Sequence, residues 1–422
     1  MTPCRARVSA LVAILCTAVV LSGCGLKTLE TVERQGAPRQ EAKNQPVTGI
    51  VGAIDEFGFE LLGAVSKEAS GNAIISPVSV HAVLAMTATG ADGETADQMR
   101  RVLRTDVMTP DEANSQWGTL LQDLGQRDSA QTLQLANALW ARDGIEFRQP
   151  FLAANRDHFG AQISTLDFEN ENVASAVNAW VSKATKGMIR GMLDKTNPDA
   201  VLIVANAAYF KGDWADPFKK EATYRAPFTR GDGSEVEVDM MRTVTDLPYA
   251  QDEMVQATKL TYKGGDTALY VLLPKPGIKP EAAREALGAG GFGQLRRALE
   301  STAPAEVRLE LPKLDVEYST DLVGPLASVG MPLAFSSSEA DFSKISAATS
   351  VWLSEVSHAT RIKVDEKGTE AAAATVVGAP TSAAPGMTMP PVIICDRPYF
   401  FAVVDEKSGA VLFLGAVDDP NQ

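Results

Sequence analysis

One stretch limits what this chain can fold into more than any other. From Ala371 to Cys395 there is no Asp, Glu, Lys or Arg. The segment opens Ala371-Ala372-Ala373-Ala374-Thr375-Val376-Val377 and runs on as Gly378-Ala379-Pro380-Thr381-Ser382-Ala383-Ala384-Pro385-Gly386-Met387. Its prolines and glycines break helices and ladders. A structureless stretch this long inside one domain is functional or disordered. The small and β-branched residues at its start suit entry into a sheet, and the remainder reads as an extended, exposed loop. The fold must therefore carry a long loop.

The N-terminal region reads as an export signal. Arg5 and Arg7 precede an apolar run from Val8 to Leu21, followed by Leu21-Ser22-Gly23-Cys24. The run is too short to span a membrane as a helix. Cys24 after Leu-Ser-Gly resembles a bacterial lipobox, so residues 1–23 are expected to leave and Cys24 to carry lipid as the new N-terminus. Of four cysteines, Cys4 and Cys16 would go with the signal and Cys24 would be acylated. Cys395 then remains alone, and the exported part must rest on its core without a disulfide. Residues 24–49 are polar and aperiodic, as a flexible tether is. Residues 50–422 hold no internal repeat and no clean linker, and they suit one large domain or two smaller ones. The net charge of −14 becomes −16 once Arg5 and Arg7 leave, which argues against nucleic acid and against a basic polysaccharide site.

Helix and strand patterns mix without βαβ alternation. Helical spacing marks Ile54 to Ala69, Pro77 to Met86 (with Ser76 as N-cap), Asp111 to Leu124 and Val173 to Thr185. Strands are expected at Leu133 to Trp140, Val201 to Phe210, Ala268 to Leu273, Val307 to Leu311, Val351 to Val364, Phe400 to Val404 and Val411 to Leu414. The last two form a hairpin through Asp405 to Ala410. The near-continuous apolar run Val201 to Phe210 fits a central strand covered on both faces. The class is α+β with a large sheet.

Catalytic signatures are missing. The three histidines, His81, His158 and His358, sit in none of the Gly-x-Ser-x-Gly, Ser-x-x-Lys or His-Glu-x-x-His motifs, and no Cys-x-x-Cys occurs. Gly288, Gly290 and Gly293 do spell Gly-x-Gly-x-x-Gly, but Pro280 to Leu287 before them is helical, and a dinucleotide fingerprint follows a strand. These glycines read as a helix stop before a second helix, Phe292 to Leu299. No metal or cofactor is expected.

The run Val364-Asp365-Glu366-Lys367-Gly368-Thr369-Glu370-Ala371-Ala372-Ala373-Ala374-Thr375 resembles the hinge of inhibitory serpins almost residue for residue. Further matches follow in order: Asn72 to Ser79, Gly90 to Thr95, Asn178-Ala179-Trp180-Val181 with Thr185 and Gly187, Asn206 to Trp214, Leu311-Pro312-Lys313, and Asp396-Arg397-Pro398-Tyr399-Phe400. The resemblance covers about the whole domain after the tether. It implies an α+β serpin fold of three β-sheets, about eight or nine helices, and a reactive-centre loop at about 368–392. Ser76, Ser79, Asn206 and His358 match the family's buried shutter. Trp214 matches the breach, where the hinge enters.

The implied function is inhibition of a serine protease by a one-use substrate with no catalytic residue of its own. Residues of the hinge agree with insertion as a strand: Thr369, Ala371, Ala373 and Thr375 would share the inward face, with Glu370, Ala372 and Ala374 opposite. Glu366 and Gly368 lie before them, and Gly368 supplies a permissive pivot. Family spacing puts the reactive bond at Ser382-Ala383. The stretch from Ser382 to Asp396 is longer than in many relatives, which leaves Thr381, Ala383 and Met387 open as alternatives. Small uncharged residues at the cut imply an elastase-like or subtilisin-like partner rather than a trypsin-like one. The resemblance further implies a monomer, exported and held at a bacterial membrane, on its periplasmic or surface side, through lipid on Cys24. Two rival readings stay open: a non-inhibitory serpin-fold binding or chaperone lipoprotein, and a cell-envelope serine hydrolase.

Overall fold

The run Val201 to Phe210 offers no polar face to water and needs cover on both sides. In the computed structural model, which describes residues 46–69, 71–125, 131–169, 173–197, 199–347, 350–368 and 390–422, it is the strand Leu202–Gly212, buried at every residue except Lys211. It stands in the middle of a five-stranded sheet, ordered Leu314–Asp321, Leu353–Val364, Leu202–Gly212, Gln131–Arg142, Gln162–Leu166. The four pairings in that order are antiparallel, parallel, antiparallel and parallel.

Both faces of this main sheet are covered. The helix Pro77–Ala88, buried almost throughout, lies under it. The helix Val173–Ala184 lies over it, with Val177 and Val181 packed among Ile203, Ala205, Ala207 and Ala359. Alanines on the strands let that helix approach closely. Ser76 stands at the N-cap of Pro77–Ala88, as expected, but its side chain does not cap the helix. Its hydroxyl donates instead to the Leu412 carbonyl, on a neighbouring sheet, at 2.6 Å.

That neighbouring sheet has six strands: Ala73–Ile75, Val411–Val417, Tyr399–Asp405, Thr267–Pro274, Val255–Thr261 and Tyr249–Gln251. The expected hairpin closes it, with Gly409 at φ +86° and the Asp405 carboxylate accepting from Ser408. A third sheet of four strands is ordered Val392–Ile394, Ala305–Pro312, Glu235–Leu247, Tyr224–Thr229. The glycines at 288–293 punctuate two helices, Pro280–Ala286 and Phe292–Ser301, with Gly290 at φ +94° between them. Among the described residues there are three sheets and nine α-helices, the α+β class expected. Among the elements beyond expectation are the strands Gln162–Leu166, Glu235–Leu247, Val255–Thr261 and Leu314–Asp321 and the helix Gly93–Val102.

Candidate functional site

A row of polar side chains crosses the middle of the main sheet in register: Thr320 opposite His358, His358 opposite Asn206, Asn206 opposite Asn137. The His358 Nε2 accepts the Ser76 backbone N–H at 3.0 Å, so the ring proton sits on Nδ1 and is donated to Asn206 Oδ1 at 2.6 Å. The Asn206 amide then donates to Ser79 Oγ and to Asn137 Oδ1. Thr360, one strand pleat away, donates to the Ile74 carbonyl at 3.0 Å. Ser76, Ser79, Asn206 and His358 are all fully buried. A fully satisfied network in so dry a place favours one arrangement of the strands and helix that meet there.

This geometry settles what His358 does not do. Burial is the largest influence on its imidazole and pushes the pKa down to about 3, so the ring is neutral. The nitrogen facing Ser76 takes a backbone N–H and not the hydroxyl, which is committed to Leu412. The pair is not a nucleophile with its base. Asn137 completes the row but escaped the sequence reading. Its only signal was an amide in the largely apolar run Leu133 to Trp140, which Gln134 interrupts as well.

At one end of the sheet the two central strands come apart. Their parallel register runs from Leu353↔Leu202 to Arg361↔Tyr209 and stops three residues short of both strand ends, Val364 and Gly212. A tight turn closes over that gap: Asp365 N donates to Gly368 O at 2.9 Å, and Gly368 N to Asp365 O at 3.2 Å. Gly368 bridges both Asp365 and Asp213 in the antiparallel sense. Its φ of +131° is open to glycine, and a Cβ there would lie 2.4 Å from the Gly212 carbonyl oxygen. Both constraints demand glycine.

Side chains brace the turn from three directions. The buried Trp214 donates its indole N–H to the Asp365 carbonyl at 2.9 Å and stacks on Tyr262, with ring centroids 4.4 Å apart. Its backbone N–H reaches the Lys367 carbonyl at 2.9 Å. The Glu366 carboxylate, 5% exposed, receives Lys313 Nζ and Thr223 Oγ1, each at 2.8 Å. Burial is the largest single influence on Glu366 and pushes its pKa upward. The hydrogen bonds from Lys313, Thr223 and the backbone, with the charge of Lys313, together outweigh it and hold the group below the ordinary value. Lys313 entered the sequence reading only as part of a motif, and Thr223 not at all. Neither carries a local signal, because strands distant in sequence bring them to Glu366.

Several expected site residues lie outside the described residues: Cys24, the hinge positions Thr369, Glu370, Ala371, Ala372, Ala373, Ala374 and Thr375, and the reactive-bond pair Ser382 and Ala383. The chain is described up to Gly368 and again from Pro390, where the strand Val392–Ile394 pairs in parallel with Ala305–Pro312. Among the described residues no group of His, Cys, Asp or Glu is arranged to hold a metal ion.

The family model described as "Serpin (serine protease inhibitor)" matches residues 52–420. An uncharacterized serpin-like protein of Thermococcus kodakarensis is 32% identical over 390 residues, covering 90% of this chain and 87% of its own length. The leukocyte elastase inhibitor of Bos taurus is 35% identical over 383 residues, covering 87% of this chain and 97% of its own. Among solved structures, the thermophilic serpin tengpin in its native state superposes with a TM-score of 0.82 at 30% identity, over 92% of this chain and 98% of that one.

Proposed function

This chain belongs to the serpin family, and from that membership we propose that it inhibits an elastase-like or subtilisin-like serine protease by inserting its cleaved loop into the main sheet. One observation carries the reading: the parallel seam between Leu353–Val364 and Leu202–Gly212, unpaired at the end where Gly368 turns the chain. A strand continuing from that turn runs antiparallel to Leu353–Val364, and therefore antiparallel to Leu202–Gly212 as well. Inserted between them, it replaces one parallel ladder by two antiparallel ones, which are stronger per residue. The seam is lined by small side chains, Ala205, Ala207 and Ala359 among them, so widening it costs little packing.

The protease's own serine attacks the Ser382 carbonyl, the Ser382–Ala383 bond breaks, and the acyl-enzyme ester remains on Ser382. Insertion of the freed strand competes with water for that ester. From Gly368 to the cut is about fourteen residues, so a protease still esterified is carried on the order of 46 Å along the sheet. Its oxyanion hole and triad lose the geometry that deacylation needs. The inhibitor is consumed and supplies no catalytic residue. Cys24 anchors the molecule by its lipid, and the tether from Cys24 up to the helix Thr48–Glu68 spaces the domain from the bilayer; among the described residues no helix is long and apolar enough to cross a membrane.

Mixing the soluble domain with pancreatic elastase is expected to give an SDS-resistant adduct and a released C-terminal peptide beginning at Ala383. A peptide beginning at Thr388 moves the cut to Met387 and changes the target class. Cleavage with no adduct, by any elastase-like or subtilisin-like enzyme, overturns inhibition in favour of a binding module.

A further inference from the structure

Val107 is the most exposed large hydrophobic side chain among the described residues, at 86%. One exposed valine is ordinary by itself. What marks this one is the loop that carries it, between the helices Gly93–Val102 and Pro110–Gly125. Arg100 Nη2 donates to the Met108 carbonyl at 2.6 Å and, more weakly, to the Thr105 and Asp106 carbonyls at 3.4 Å. The Thr105 N–H returns to the Arg100 carbonyl at 2.9 Å, and the Met108 N–H reaches the Thr105 carbonyl at 3.1 Å. The loop is thereby held to one shape that presents Val107. Three of its carbonyls have partners within the protein, so surroundings poor in water do not leave them bare.

The loop also stands where the domain meets the preceding chain. Met108, next to Val107, lies against the start of the helix Thr48–Glu68. There Ile50 N–H donates to Gln116 Oε1 at 3.0 Å, and Gln116 Nε2 donates to Met108 Sδ at 3.5 Å. A Cβ on Gly49 would lie 3.2 Å from that sulfur. Arg104, at φ +54°, ties the loop to the same helix through Glu60 at 2.6 Å. The chain that begins at Cys24 therefore enters the domain beside Val107.

Resting on the lipid anchor at Cys24 argued above, we propose that Val107 and its loop make a second contact with the bilayer and seat this pole of the domain in the interfacial region. The occupant follows from the tether. A polar linker the length of residues 24–47 has an end-to-end distance on the order of 30 Å. A domain of this size is on the order of 50 Å across. The pole where the linker attaches thus has the shortest path to the membrane, and the far side reaches it only with the linker drawn out. One valine holds no free domain on a membrane, but in a tethered molecule the contact is intramolecular and a weak one suffices. Arg101 and Arg104 flank the loop and are paired with Glu94 and Glu60, so the contact is chiefly apolar and needs no anionic headgroup. Its consequence is a preferred orientation of the anchored domain.

The test uses the lipidated chain purified from membranes and bound to phosphatidylcholine vesicles. Lipid occupies the Cys24 thiol and Cys395 is buried, so an environment-sensitive fluorophore placed on Val107→Cys labels that position alone. The same fluorophore on Lys220→Cys is the reference; Lys220 is exposed, on the segment whose Phe218 N–H holds the Glu366 carbonyl. On vesicles the label at 107 is expected to shift to the blue, and lipids spin-labelled near the headgroup should quench it more strongly than the reference. Both effects should persist at high salt. In the unlabelled chain, amide exchange at residues 104–108 should slow on vesicles. Val107→Asp should weaken that protection by up to about tenfold, the worth of one buried aliphatic side chain. Val107 packs against little of the domain, so this replacement leaves the fold standing. A chain that floats with the vesicles while its two labels respond alike, or while its loop amides exchange as fast as in the soluble domain, overturns the contact and leaves the anchor in place. A chain that does not float removes the anchor, and the contact falls with it.

Discussion

Protonation is what separates His358 from a catalytic histidine. Its imidazole, like that of His81, is fully buried, and burial pushes the two down to about 3 and about 4. In the unfolded chain each titrates near 6.5. As pH falls below that value the unfolded state takes up protons that the native state refuses, so stability present at neutral pH drains away between about 6.5 and about 3. Replacing His358 with Asn should lower stability at neutral pH by on the order of 2 kcal/mol, through hydrogen bonds lost to Ser76 and Asn206. It should also make the melting temperature fall less steeply between pH 6.5 and 4. A variant whose melting curve keeps the full wild-type slope contradicts the neutral, buried His358. At this scale the sequence was informative where chemistry is intrinsic to a residue type. Gly368 is legible because a positive φ and a crowded backbone both exclude a side chain. Asn137, Thr223 and Lys313 were not, since an amide, a hydroxyl or an amine acquires its role only from the partner placed against it.

Elements carry the mechanism. The strand pair at the seam is parallel, and a parallel pair cannot be joined by a short turn, so it leaves room for a strand running the other way. Thr369 is the first residue after Gly368 and, in the proposed insertion, the first hinge side chain to turn inward. Replacing it with Arg brings an unpaired charge into a dry sheet and overpacks a site suited to a small residue, at several kcal/mol. Insertion should slow while acylation at the distant loop tip proceeds at a similar initial rate. The variant is then expected to be cut as an ordinary substrate, with little adduct and with active protease recovered. Undiminished trapping by Thr369→Arg contradicts the inserted-hinge mechanism. Elements with a clear pattern were read within a few residues: Val201 to Phe210 became Leu202–Gly212 and Asp111 to Leu124 became Pro110–Gly125. Glu235–Leu247 went unread, although Val236, Val238 and Met240 alternate with Glu235, Glu237 and Asp239. Glu235 and Glu237 are exposed, and Arg242 and Asp246 place charge on the face of the apolar residues, which masks a period of two in any average over the run.

For the molecule as a whole, anchoring and strain are separate properties and can be tested apart. Radiolabelled fatty acid should enter the wild type and not Cys24→Ser; equal labelling of both removes the lipoprotein reading. The soluble domain, once cleaved in its loop, should melt at a higher temperature than the intact form, because a completed sheet satisfies the strand ends that the seam leaves unpaired. What the sequence by itself determined is whatever is local or periodic: the uncharged stretch from Ala371 to Cys395, the glycine at 368, the apolar strands and helices, and the absence of catalytic motifs. Tertiary structure alone decided that Asn137, Asn206 and His358 fall in one register and that Lys313 and Thr223 reach Glu366. Each of these joins strands far apart in sequence, and a one-residue slip in register turns a side chain to the opposite face. Register follows from the packing of the whole core, which no local run of residues encodes.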